Sequence, residues 1–381
     1  MKKKKIISSV ISACALTTAS GAALVATGCS SSDEDINKNF FTIQANKDLA
    51  VEFCDIGAGI YSMKYKSEEN SEPIDVTYHP HDKKDYLQGD LYYGKTVGRV
   101  IGRISDGQLD VEGRKYDLEI NETPGVKNNC IHGGYNGFSF KKFTRYVEDK
   151  GSYISVMFNY VSPDGEAGFP ETVDCWVWYK LYKNEPKMDM NIFAKTFGTT
   201  PLNISNHPYF RLANSGTIRN HTIKINADNR AYFEKEGTEQ CQQRTNGTDM
   251  PVQNTAYDFR IAKEIGISND RVKEVDPVCK GFDHIWKFNN EANDMHVVEF
   301  KNPENGLQLN VTTDATGMIM YANCYPHEGL VMNSGNETDQ ENNAITIEPL
   351  TYFNSNDTNS LNVSPEQTFT RFISYKLSTN Q

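Results

Sequence analysis

Apolar and polar side chains alternate with a period of two in segment after segment of this chain. Tyr153-Ile154-Ser155-Val156-Met157-Phe158-Asn159-Tyr160 is one such segment, and His221–Asn226 and Leu307–Val311 are others. Thr172–Leu181 adds a run of β-branched and aromatic residues. A strand sends successive side chains to opposite faces, so these segments read as half-buried strands. Turn signals punctuate them: Ser105-Asp106-Gly107, Glu112-Gly113, Pro163-Asp164-Gly165 and Asn305-Gly306. Convincing helical periodicity is scarce. The expectation is an all-β protein, a large antiparallel β-sandwich. The abundance of tyrosine and phenylalanine fits, because aromatic rings pack well on pleated faces.

The first residues bear on compartment. Met1 precedes four lysines, then a stretch rich in small apolar residues runs from Ile6 to about Val25 and ends in Ala26-Thr27-Gly28-Cys29. A charged start, an apolar middle and small residues before a cysteine describe an export signal with a lipidation site. Several serines and threonines dilute the run, which argues against a permanent span of about twenty apolar residues. Residues 1–28 are therefore expected to be a lipoprotein signal peptide. Cys29 would be the lipidated N-terminus, and 29–39, beginning Cys29-Ser30-Ser31-Ser32-Asp33-Glu34-Asp35, a polar tether. Residues 40–381 would form the folded domain, exported and held by lipid on the cell membrane or outer membrane, facing away from the cytoplasm. No linker, repeat or low-complexity block divides that domain.

Charge narrows the partners. The formal net charge is -11, and removing the four leader lysines would make it four units more negative. Such a surface is poorly suited to nucleic acid, whose phosphates demand basic residues. Neutral small molecules fit it better. Beyond Cys14 and Cys29 there are six cysteines, with no C-x-x-C pair and no zinc spacing. They are expected to be buried thiols. Gly89-Asp90-Leu91-Tyr92-Tyr93-Gly94-Lys95-Thr96 matches the phosphate-loop pattern formally. Two tyrosines fill the loop and a glycine-rich stretch follows where a helix is needed, so the match is rejected. His79-Pro80-His81 lacks further ligands at metal spacing and reads as a polar surface loop. No metal or cofactor is expected.

Three titratable side chains stand out. His132 lies in Cys130-Ile131-His132-Gly133-Gly134, where glycines let backbone approach a ligand. His207 lies in Asn206-His207-Pro208-Tyr209-Phe210, after the strand-like Leu202–Ser205. Glu348 follows the alternating Ile345-Thr346-Ile347, where an unpaired carboxylate is costly unless it has a task. Histidine and glutamate suit proton transfer between oxygens near neutral pH. Asp283, between aromatics in Gly281-Phe282-Asp283-His284, and Arg103, in Gly98–Ile104, are candidate ligand contacts.

In this order, these segments resemble the aldose 1-epimerase (mutarotase) family, over about Phe40 to Leu377. The carriers are Tyr93–Ile104, Cys130–Gly134 with Gly137-Phe138, Ser162–Pro170, Asn206–Phe210, Gly281–His284, and Glu348-Pro349 with Tyr352. The resemblance implies a large antiparallel β-sandwich that interconverts the anomers of a free sugar without a cofactor. It implies Glu348 as general base, His207 as general acid, His132 as second active-site histidine, and Arg103 and Asp283 as holders of sugar hydroxyls. It also implies a bell-shaped pH profile, since acid and base must be charged together. Gly102, Ile319 and Leu350 depart from the family's usual asparagine and glutamines, so the sugar-recognition shell is altered. Two alternatives follow: a non-catalytic carbohydrate-binding lipoprotein, and a glycoside-processing enzyme with Glu348 and Asp283 as its two carboxylates. The sugar and the oligomeric state are not legible.

Overall fold

The alternating segments pair into antiparallel ladders. The computed structural model describes residues 33–379 except 68–71, 123–126, 277, 290–294 and 334. A nine-stranded sheet runs Thr144–Asp149, Tyr153–Ser162, Val173–Tyr182, Lys187–Thr196, Phe369–Thr379, Leu307–Thr313, His296–Lys301, Thr222–Ile225, Lys263–Glu264. A six-stranded sheet runs Tyr209–Phe210, Ile345–Leu350, Gly317–Tyr321, Asp283–Lys287, Asn229–Phe233, Thr245–Pro251. A four-stranded sheet, Phe40 to Asp75, begins the domain.

One apolar core joins the three sheets. It takes Val177, Met190 and Ile373 from the first, Trp286, Met318 and Ile347 from the second, and Phe53 and Met63 from the third. On Val173–Tyr182, buried and half-buried residues alternate without a break, as a single-faced strand requires. The six-stranded sheet differs, because both faces are covered. Ile345 and Ile347 enter the main core, while Leu350, Ile319 and Ile285 belong to a second cluster on the opposite face. Each fully buried isoleucine contributes roughly 1.5–3 kcal/mol. That rigid, double-covered sheet carries Asp283 and Glu348.

Several local expectations are corrected. Asp33–Asn37 is a short helix, and Ile36 packs with Phe40, Tyr61 and Tyr86, so ordered structure begins inside the expected tether. The apolar Ile36 supplies the burial that the preceding serines lack. His79 is buried, its Nε2 3.2 Å from Asp75 Oδ2, so this histidine is no part of a polar surface loop. Ile265–Val275 is an 11-residue helix without an apolar periodic face, burying Gly266, Ser268 and Asn269 beside Ile265 and Val272. The phosphate-loop match is structural: Gly94 has φ 67, and a Cβ there would lie 1.8 Å from Ile60 O. Lys95 is buried and donates to Leu91 O. The six described cysteines are buried free thiols. Residues 1–28 and Cys29 lie outside the described residues. Among those described, no helix is long and apolar enough to cross a membrane.

Candidate active site

Glu348 reaches the site from the middle of strand Ile345–Leu350, paired with Gly317–Tyr321 so that Ile319 stands opposite it. The two-residue period sends Thr346 and Glu348 to the face away from the main core. His207 sits in the two-residue connection between strands Ser205–Asn206 and Tyr209–Phe210. Its backbone is held from both sides: His207 N–H donates to Lys95 O at 2.9 Å, and Gly94 N–H donates to His207 O at 2.9 Å. Asn206 Nδ2 also donates to Gly94 O at 2.8 Å. His132 has φ 53, a left-handed backbone uncommon for a side chain with a Cβ.

These three side chains, far apart in sequence, converge. His207 Nε2 lies 3.3 Å from Glu348 Oε1. The His132 and His207 rings meet edge to face at 5.0 Å between centroids. Tyr92 packs on both imidazoles, at 5.0 and 5.7 Å. All three lie in the wall of a cavity of about 220 Å³, together with Arg103, Asp283, Asp90, Tyr209, Tyr321, Tyr325, His327, Ile131 and Ile319. Every residue proposed for the site from sequence therefore faces one cavity. Cys130 is not in the lining but in the second apolar cluster.

The double glycine has a different task from the one expected. A Cβ on Gly133 would lie 2.0 Å from Gly98 O, and one on Gly134 2.9 Å from Glu119 Oε2. These glycines permit packing within the chain, and it is His132 that faces the cavity.

Arg103 is built into an ionic network. Its Nε donates to both oxygens of Glu122 at 2.9 and 3.0 Å, and its Nη2 donates to Asp283 Oδ2 at 3.1 Å. Gln243 Nε2 donates to the same Asp283 oxygen at 2.7 Å. Burial works against the Arg103 charge, but Glu122 and Asp283 more than offset it and keep the guanidinium firmly cationic. Burial likewise disfavours the Glu122 carboxylate, yet Arg103 and Lys127 hold it down at about 2. Arg103 and Asp283 thus present a fixed dipolar edge to the cavity. Glu122 and Gln243 escaped the sequence reading, because nothing local ties them to partners 19 and 140 residues away.

The electrostatics of the Glu348–His207 pair follow from burial. Burial lifts Glu348 to about 8; a hydrogen bond from Thr346 pulls it down and Asp283 pushes it up. Burial drops His207 to about 4. His132 is driven well below its ordinary value by burial, then by His207 and Arg103. Its Nδ1 faces the Gly102 N–H at 3.4 Å, which leaves the ring hydrogen on Nε2. Between about pH 4 and 8 the Glu348–His207 pair therefore holds one proton, resting on the carboxyl. Among the described residues Glu348 Oε2 is buried with no hydrogen-bond partner, a costly state that a reactive site tolerates.

Such a pair can take a proton from one oxygen and give one to another when both oxygens sit on a single carbon. Asp283 Oδ2 already accepts from Arg103 and Gln243, so that oxygen is engaged within the chain.

Comparison with known proteins agrees with this chemistry. A family model described as aldose 1-epimerase matches residues 39–373. A galactose mutarotase from Mus musculus is 31% identical over 310 residues, covering 77% of this chain and 84% of that protein. An aldose 1-epimerase from Haemophilus influenzae is 29% identical over 287 residues, 74% of this chain and 78% of the relative. The solved structure of a galactose 1-epimerase from Lactobacillus acidophilus NCFM shares the fold, with a TM-score of 0.76 at 22% identity, covering 90% of this chain and 95% of that one.

Proposed function

We propose, from the premise that this chain belongs to the aldose 1-epimerase family, that Glu348 and His207 are the groups exchanging protons with its sugar. The chain is an isomerase that interconverts the α and β anomers of a free aldose. The observation that carries the residue assignment is the 3.3 Å contact between His207 and Glu348 in the wall of one cavity. The anomeric hydroxyl and the ring oxygen are bonded to the same carbon, so acid and base must be neighbours.

Ring opening needs the carboxylate to take the hydroxyl proton while the imidazolium protonates the ring oxygen. The C1–O5 bond breaks and the C1=O bond forms. Both protons are then relocated: Glu348 is the carboxylic acid, His207 is neutral, and the sugar is the open aldehyde. That is the protonation favoured in the substrate-free site. Rotation about C1–C2 presents the other carbonyl face, and the reverse transfers close the ring. The neutral His132, with its hydrogen on Nε2, donates to a sugar oxygen and steadies developing charge. Arg103 and Asp283 hold hydroxyls from their fixed positions. A positioned acid and base each supply about a hundredfold or more.

The sugar is proposed only as an aldose. Ile319 is an aliphatic wall directly opposite Glu348, and Gly102 brings no side chain, so both offer the sugar fewer polar contacts. Polarimetry of freshly dissolved α-D-galactose and α-D-glucose, with wild type beside Glu348→Gln, tests the reading. Accelerated rotation change that is lost in the variant is the expected result. Equal rates in both proteins would refute the assignment of Glu348.

Export and lipid anchoring through Cys29 are proposed on the leader alone: four lysines, a run of small apolar residues, then Gly28-Cys29. The enzyme would then meet its sugar outside the cytoplasm.

A further inference from the structure

We infer that Thr346 is a positioning residue that pins Oε1 of Glu348 and so assigns proton exchange to Oε2. The inference rests on Glu348 being the proton-exchanging carboxyl, and goes on to name the atom and the group that sets it.

Thr346 and Glu348 are two residues apart on one strand and therefore share a face. The Thr346 backbone is paired on both sides, with Tyr209 and with Tyr321. Its side chain is fully buried. Tyr321 N–H donates to Thr346 Oγ1 at 3.2 Å. A hydroxyl has one hydrogen, and with a lone pair so occupied that hydrogen is directed at Glu348 Oε1, 2.6 Å away. The length is that of an ordinary short O–H···O hydrogen bond.

Oε1 also faces His207 Nε2 at 3.3 Å, whereas Oε2 is buried and, among the described residues, has no partner. A carboxyl whose first oxygen accepts the Thr346 hydroxyl and lies against an imidazole nitrogen leaves its second oxygen open to carry the proton. Oε2 is thus the atom that receives the anomeric proton and returns it. The charged and titratable neighbours do not duplicate this role. His207, Tyr209, Asp283, Arg103, Tyr375 and His132 surround Glu348, and among the described residues none of them bonds Oε2.

Thr346 also favours the ionised carboxyl, because a hydrogen bond to the charged form stabilises it. Without the hydroxyl, the proton stays on Glu348 more tightly. The form with ionised Glu348 and cationic His207, which opens the ring, becomes rarer.

The test compares Thr346→Val, which keeps the shape, with Thr346→Ser, which keeps the hydroxyl, measuring kcat, KM and the pH–rate profile. Thr346→Val is expected to lower kcat by about tenfold with KM little changed, and to move the alkaline limb to higher pH. Thr346→Ser is expected to recover most of kcat and the original limb. If Thr346→Val does not yield folded protein, Thr346→Ala stands in for it. A folded variant lacking the hydroxyl, with wild-type kcat and profile, would overturn the inference. So would a loss equal at every pH that serine does not restore, the mark of a packing role. Glu348→Gln measured alongside keeps the two claims apart. If it is inactive while Thr346→Val is unchanged, only the inference on Thr346 fails; if it is active, the assignment of the base fails.

Discussion

At Glu348, burial pulls against the proposed role of base. A carboxyl lifted to about 8 in the fold, against about 4.3 in the unfolded chain, binds its proton more tightly when folded. Its contribution to stability is therefore full below the unfolded value and is lost as pH rises through about 8. Glu348→Gln, which cannot ionise, is expected to raise Tm relative to wild type, and more at pH 9 than at pH 5. Thermal melts at the two pH values check this; a larger gain at pH 5 would contradict it. Glu348, His207 and His132, which the fold gathers at one cavity, could be singled out because each stands in a short distinctive segment. Thr346 was visible in the sequence but not the role proposed for it, which depends on a ladder to Tyr321. Glu122 and Gln243 were not legible at all, since their importance lies in a guanidinium that only the folded chain brings to them.

Among the elements, the strands were readable and the connections less so. Val173–Tyr182 buries one face, so alternation announces it. Ile345–Leu350 is buried at all six positions, and its pattern says strand without saying that both faces are covered. Helix Ile265–Val275 hid for a related reason: it buries small and polar residues, and its Glu264 cap makes no side-chain bond. Asn269 accepts Phe282 N–H at 2.8 Å, a tertiary contact that replaces the missing apolar stripe. A connection also positions His207. Gly94 holds both ends of the Asn206-His207 segment while its α-carbon lies against Ile60 O. Gly94→Ala is expected to lose stability and activity together, because a Cβ 1.8 Å from Ile60 O forces the backbone that carries His207 to move. Urea unfolding and polarimetry on one preparation check it. Full activity with full stability would show that this contact is not needed.

For the molecule as a whole, the sheets form a stiff frame around a small polar cavity, and the acidic surface suits a neutral substrate. The N-terminal helix Asp33–Asn37 docks Ile36 beside Phe40, so any tether would be shorter than the composition suggested. Cys29→Ala is expected to prevent lipidation and shift the protein from the membrane to the soluble fraction; fractionation with mass spectrometry of the N-terminus checks it. An unmodified Cys29 in the wild type would contradict the anchor. The most direct test of the shared-proton account is kcat/KM by polarimetry from about pH 3 to pH 10, since that ratio reports the free enzyme. The account predicts a bell, falling on the acid side near about 4 and on the alkaline side near about 8. A profile flat across both limbs would contradict it.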